Sequence, residues 1–283
     1  MRKEIHALKK KALDIRKDII EMGYKGAGLA IHIGPALSCT DIMTALYFHV
    51  MSVRPEAPAW ESRDRFIISK GHACPALYAA LAERGYFPKE ELLTVRGIDS
   101  RLQGHPDMKK TPGVDMTSGS LGNGISCGLG IALGLKRKGL GSKVYVLLGD
   151  GESQEGLVWE AAMAAPQMGA DNLVAIVDNN HYQSCGSTPD IINMEPMGEK
   201  WRAFGWKVLE MHGHDMEDIV RTLEQAKEFR GMPVCVIAST TKGKGVSFIE
   251  HNNKWHAKVP TEQEYTDAMA ELNAQADALA QDD

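Results

Sequence analysis

Two oxygen-bearing side chains sit in matching contexts. Asp150 lies in Gly149-Asp150-Gly151 and Asn180 in Asn179-Asn180. One carboxylate, one amide oxygen and a neighbouring backbone carbonyl supply half an octahedron of hard ligands, a shell that suits Mg²⁺ completed by phosphate and water. Glycine at 149 and 151 lets the backbone approach such a ligand closely. Each site follows a short apolar run, Val144-Tyr145-Val146-Leu147-Leu148 or Leu173-Val174-Ala175-Ile176-Val177. Such runs predict buried parallel strands. One helix-length segment, from about Gln154 to Met168, separates them. The right-handed crossover of a βαβ unit puts both strand ends on one edge, where open α/β sheets bind ligands. Asp150 and Asn180 are therefore expected side by side.

Four histidines, His32, His72, His105 and His256, occupy loop contexts flanked by glycine or proline. Imidazole suits proton transfer and hydrogen bonding to sugar hydroxyls near neutral pH. A lone loop histidine is usually a surface residue, and four beside a phosphate-type motif change those odds. None has the His-x-x-x-His spacing of a zinc helix.

The remaining elements must position these groups. Ile5, Leu8, Ile15, Ile19 and Met22 recur at helical spacing and predict an amphipathic surface helix. A glycine-rich turn is expected over 23–34, a helix over 41–51, a strand over 65–68 and a helix over 75–84. Residues 97–118 read as a long functional loop. It leads into the apolar, glycine-rich stretch Gly119 to Leu135, expected as a buried, closely packed helix. Residues 181–198 form a second loop. A strand over 206–211, a helix over 216–229 and a strand over 234–238 complete the alternation. The fold class is α/β, a mostly parallel sheet with helices on both faces. Thr261-x-x-Glu264 has capping-box spacing. It divides a domain over 1–260 from a helical tail over 261–283 that ends in Asp282-Asp283.

A chain of 283 residues with a formal net charge of −5 has ample core. That charge argues against nucleic acid or an acidic membrane as partner. Five cysteines without a CxxC pair predict a reducing, cytoplasmic setting. The N-terminus lacks a secretory apolar region, and Asn123 and Ser126 interrupt the most apolar stretch, so no membrane span is expected.

The flanking residues resemble the N-terminal, pyrophosphate-binding half of transketolase. The matching stretches are Ser69-Lys70-Gly71-His72-Ala73, Gly104-His105-Pro106, Thr117 to Gly124, Gly149 to Gly156, Asp178-Asn179-Asn180, Thr240 to Gly245 and Trp255-His256. They span about residues 10 to 260. The resemblance implies a thiamine-diphosphate-binding fold, with Asp150, Asn180 and the Tyr182 carbonyl holding Mg²⁺ or another divalent cation such as Ca²⁺ or Mn²⁺. It brings Gly151 and His256 to the pyrophosphate and His72 to the thiazolium side. Lys242, and by position Lys70, would also face the pyrophosphate. Gly119 and Leu121 would meet the cofactor ring through backbone atoms. His32, His72, His105 and His256 would ring the reactive carbon, binding sugar hydroxyls and shuttling protons. Glu155 would join a carboxylate network at a dimer axis.

Plainer readings stand beside these. Glu155 is in the first turn of a helix, where the dipole favours any acid. Lys242 and Lys244 could be solvated, and Gly119 and Leu121 could serve helix packing. His214, in Gly213-His214-Asp215, also recurs in the family and reads as structural. Two departures stand out. Tyr182 replaces the usual aliphatic residue, and Ser184-Cys185-Gly186 replaces an Ile-Asp-Gly-like turn. The glutamate that contacts the cofactor's aminopyrimidine, and the arginines that bind substrate phosphate, belong to a following domain that this sequence does not contain. The resemblance is thus to the N-terminal subunit of a split transketolase, active on sugar phosphates only with a C-terminal partner, in a heterotetramer of two copies of each. A transketolase or synthase acting on an unusual sugar, and a non-catalytic cofactor-binding homologue, are the alternatives. A nucleotide-binding Rossmann protein is weaker, because the chain lacks a Walker lysine motif and a well-placed GxGxxG.

Overall fold

The computed structural model describes residues 2–281; Met1, Asp282 and Asp283 lie outside it. Five parallel strands form the central sheet: β1 (Arg65–Ile68), β2 (Val144–Gly149), β3 (Leu173–Asn179), β6 (Lys207–His212) and β7 (Val234–Ser239). Their spatial order is β1-β2-β3-β7-β6. A short antiparallel hairpin, β4 (Tyr182–Gln183) and β5 (Gly186–Ser187), lies outside the sheet. The helices are α1 (Arg2–Lys25), α2 (Ile33–Ser38), α3 (Thr40–Ala45), α4 (Cys74–Arg84), α5 (Asn123–Arg137), α6 (Gly156–Gln167), α7 (Thr188–Ile191), α8 (Met197–Ala203), α9 (Met216–Glu228) and α10 (Glu262–Gln281).

Side chains alternate across the strands into two cores. Tyr145, Leu147, Val174 and Ile176 pack toward α1, α3, α4 and α9. Val146, Leu148, Ala175 and Val177 pack toward α5, α6 and α8. Covering both faces is why β2 and β3 are apolar throughout rather than alternating. The expected strands and most of the expected helices are present within a few residues.

Three segments differ from expectation. Helix α1 continues through Gly23 to Lys25 and α2 begins at Ile33, so the expected glycine-rich turn is shorter, over 26–32. A Cβ on Gly23 would lie 2.7 Å from Ile33 Cδ1, so this glycine serves close packing against α2. Helix α5 is buried on one face only. Gly124, Ile125, Gly128, Leu129, Ala132 and Leu135 face the sheet, while Cys127, Gly130 and Gly134 are exposed. The loop over 181–198 contains the β4–β5 hairpin, α7 and the start of α8.

The capping box forms as expected: Glu264 N–H donates to Thr261 Oγ1 (3.2 Å) and Thr261 N–H to Glu264 Oε2 (2.8 Å). Helix α10 then packs on α1, burying Ala268 and Leu272 and stacking Tyr265 on Tyr24. Among the described residues no helix is long and apolar enough to cross a membrane, and all five cysteines are free thiols.

Candidate active site

Parallel registry aligns Gly149 with Asp178, so β2 and β3 end together. Asp150 and Asn180 emerge side by side into a cleft of about 190 Å³, also lined by Lys70, His72, Leu121, Gly151, Glu155, Tyr182 and Lys242. Asp150 accepts from Gly151 N–H (2.8 Å) and from the Thr188 hydroxyl (3.1 Å). Burial, and then the nearby Asp178, push its carboxyl up to about 6. Asn180 Oδ1 accepts from Tyr182 N–H (3.0 Å), while Nδ2 donates to Ser38 Oγ (3.0 Å), which fixes the amide's orientation. A Cβ on Gly151 would meet Gln183 Cβ at 2.7 Å, so glycine here keeps the hairpin close.

Two buried acids beside Asp150, Asp178 and Glu152, lie within the matching stretches, but the sequence reading gave neither a role. Asp178 accepts from Ser38 (2.7 and 2.8 Å), from Thr240 and from the Lys70 ammonium, which also donates to the Pro35 carbonyl (3.0 Å). Burial would raise its carboxyl, but Lys70 outweighs burial and holds it below the ordinary value. Glu152 accepts from the Ser69 hydroxyl, Gly122 N–H (2.9 Å) and Gly149 N–H (3.0 Å). It thereby pins the His72 loop, the Gly119–Gly122 loop and the β2 turn to one another. The available signal was a charge at the end of an otherwise apolar strand for Asp178, and an acid inside the glycine-bounded turn for Glu152. The Lys70 ammonium is turned inward onto Asp178, and Lys244 pairs with Glu250 (3.3 Å).

The four histidines converge from four separate loops. Ring centroids are 5.1 Å apart for His32 and His72, 5.2 Å for His32 and His256, 5.2 Å for His72 and His256, and 6.4 Å for His32 and His105. Burial lowers all four pKa values. His72 falls to about 2 with help from Lys70, His256 to about 3 with help from Lys242, and His32 to about 4 with help from His105. His105 shifts the same way, with Arg96 adding to burial. At neutral pH the cluster is a set of neutral imidazoles, each offering one donor and one acceptor. Gly119 has φ +150°, and a Cβ there would lie 3.2 Å from His105 Cγ; a Cβ on Gly71 would lie 2.7 Å from Gly119 N. These glycines let the two loops cross at backbone contact.

Lys242 is buried, and burial lowers its ammonium to about 8. Its loop is strapped down by His214. Thr241 N–H donates to His214 Nε2 (2.8 Å), so His214 Nδ1–H donates to Asp41 (2.8 Å). Arg16 grips Asp41 through two bonds, one of 2.9 Å, and donates to the Lys244 carbonyl (3.1 Å). Glu155 stands at the exposed rim of the cleft, at the N-cap of α6.

A doubly covered parallel sheet, with a carboxylate-amide pair and a buried lysine at its C-terminal edge, defines an α/β domain with a polar cleft where such sheets take ligands. The family described as the transketolase thiamine diphosphate binding domain matches residues 15–277, and the chain belongs to that family. It is 45 % identical over 264 residues to one of the subunits of apulose-4-phosphate transketolase from Phocaeicola vulgatus, covering 93 % of each chain. It is 46 % identical over 252 residues to the 6-deoxy-6-sulfo-D-fructose transketolase subunit SqwG of a Clostridium species, covering 89 % of this chain and 90 % of that one. The crystal structure of transketolase from Campylobacter jejuni superposes with a TM-score of 0.85 at 30 % identity over 97 % of this chain, which spans 43 % of that longer chain.

Proposed function

We propose that this chain is the cofactor-binding subunit of a two-subunit transketolase, moving a two-carbon ketol unit from a ketose phosphate to an aldose phosphate. The observation that carries this reading is the convergence of Asp150, Asn180, Lys242 and four neutral histidines at one sheet edge. Asp150 is a buried carboxylate with too few donors for its charge, and its neighbours offer hard oxygens. That donor set fits a divalent cation bound by Asp150, Asn180 and the Tyr182 carbonyl, with Mg²⁺ preferred and Mn²⁺ or Ca²⁺ as substitutes. Gly151, Lys242 and His256 would face the pyrophosphate, and Gly119 and Leu121 the cofactor ring. When bound, thiamine diphosphate supplies the carbon nucleophile that no side chain provides. The histidines bind the sugar's hydroxyls and hold or accept protons at their ring nitrogens. Glu155, at the open rim, would meet a carboxylate of the neighbouring half.

The partner is proposed to be a C-terminal transketolase subunit, two copies of each chain forming the enzyme. Two relatives of matching length, each named as a subunit, support this. Their names also support a second reading, in which the donor is a non-standard sugar such as a sulfonated ketose. A purely cofactor-binding role is disfavoured by the intact histidine cluster. The test combines the two purified chains with Mg²⁺ and thiamine diphosphate against a panel of ketose donors. Ketol transfer is expected from the mixture and from neither chain by itself, and chelation of the cation should abolish it. Asp150→Ala should lower cofactor affinity by about a hundredfold or more in calorimetric titration. Wild-type affinity in that variant removes the cation assignment, and robust activity from the isolated chain removes the two-subunit reading.

A further inference from the structure

Asn253 opens the short turn Asn253–Trp255 that delivers His256 to the histidine cluster. Its carboxamide touches two parts of the cleft. Nδ2 donates to the Ser184 carbonyl (2.9 Å), at the tip of the β4–β5 hairpin. Oδ1 accepts from the Lys242 ammonium. The same ammonium lies 3.1 Å from His256 Nδ1. An ammonium donates and cannot accept, so His256 Nδ1 is the acceptor of that bond. Burial, followed by Lys242, keeps the ring neutral. A neutral imidazole carries one N–H, which must therefore sit on Nε2.

We propose that Asn253 is a positioning residue: it holds Lys242 against His256 Nδ1 and so fixes His256 as the Nε2–H tautomer. The consequence is a fixed donor on a ring 5.2 Å from both His32 and His72. The donor half of the amide ties this arrangement to the hairpin that carries Tyr182. Movement of the hairpin tip is thereby transmitted to Lys242 and His256 through one side chain. The tautomer follows from the Lys242–His256 contact and the neutral ring; only the direction of the kinetic effect rests on the transketolase reading.

Asn253→Asp and Asn253→Leu separate the two halves of the amide. The aspartate keeps an acceptor for Lys242 and loses the donor to Ser184. The leucine keeps the approximate shape and loses both. Histidine ring ¹⁵N spectra of the full chain, with His256 assigned by its absence in His256→Gln, report the tautomer directly. A single Nε2–H form is expected in wild type and Asn253→Asp, and a mixture of tautomers in Asn253→Leu and Lys242→Met. With the partner subunit, Mg²⁺ and thiamine diphosphate, Asn253→Leu should lose about tenfold in kcat with a much smaller change in the donor's KM, while Asn253→Asp stays within about threefold of wild type. An Nδ1–H form in wild type overturns the proposal. So does an unchanged single Nε2–H form in Asn253→Leu or in Lys242→Met, or an Asn253→Asp variant as impaired as the leucine. If Asn253→Leu fails to melt cooperatively, Asn253→Ala takes its place in both measurements. Failure of wild type to bind thiamine diphosphate would strike the cofactor reading and leave the tautomer measurement standing.

Discussion

Three acids crowd the ends of β2 and β3, and their surroundings treat each differently. Asp178 receives a lysine and two hydroxyls, and Glu152 receives two backbone N–H groups and a hydroxyl. Asp150 receives one N–H and one hydroxyl. It is the acid left with unmet charge, which is the condition a cation binder needs before the cation arrives. Its raised pKa has a definite sign. Between the unfolded value near 3.8 and the folded value near 6, the native state binds more protons than the unfolded state. Stability contributed by this group therefore falls as pH rises through that window. Asp150→Asn should raise the melting temperature of the cofactor-free chain at pH 7.5, and the gain should shrink toward pH 4. A gain that stayed flat across that range would mean the carboxylate is not strained by burial. The histidines make a separate case. Loss of His72 or His256 removes a donor–acceptor group from the cluster but little apolar surface. Alanine at either position should cut turnover by about a hundredfold or more while leaving the melting point nearly unchanged. Steady-state rates close to wild type would return both to ordinary loop histidines.

Helix α5 shows what its glycines are for. A Cβ on Gly124 would fall 2.4 Å from Ser69 Cβ and 2.8 Å from its Cα, and one on Gly128 would fall 2.5 Å from Val146 Cγ2. Gly130 and Gly134 have no neighbouring atom within 4 Å. Gly124→Ala should therefore destabilise the chain by about 1–3 kcal/mol, since the obstacle includes backbone. Gly130→Ala should stabilise it by up to about 1 kcal/mol through helix propensity. Denaturant titration at constant slope checks both; equal effects at the two positions would contradict the packing argument. The same logic explains which elements were legible. Helices α4, α6 and α9 span enough turns for an apolar stripe to repeat. Helices α2 and α8 do not, and the packing glycine Gly23 mimicked a turn.

On the scale of the whole molecule, the face opposite α5's packing side is unfinished. Met163 and Met168 on and just beyond α6 are 61 % and 56 % exposed, and Leu157 joins them. Helix α5, which packs on α6, leaves Cys127, Gly130 and Gly134 exposed. Apolar groups gathered in this way favour association, and the proposed partner chain would cover them. Purified alone, the chain should self-associate. Met163→Glu should leave its fold intact and weaken partner binding by at least about tenfold, since it forces a charge into a buried interface. Sedimentation of the mixed chains measures this, and undiminished assembly would place the partner elsewhere.

The βαβ unit, its parallel sheet and the adjacency of Asp150 and Asn180 were determined by the sequence itself. Apolar run length, crossover handedness and strand polarity leave little freedom there, and all three are local. The family's histidines could also be picked out, because their glycine and proline contexts are local. Only the tertiary structure decided how each cleft lysine is held. Lys70 and Lys242 both line the cleft, yet Asp178 pairs with the first ammonium, while Asn253 and His256 hold the second. The role of His214 likewise depended on Asp41 and Thr241, brought to it by other elements. Pairings between distant segments, set by how helices and loops pack over the sheet, decide protonation, tautomer and free charge, and no periodicity records them.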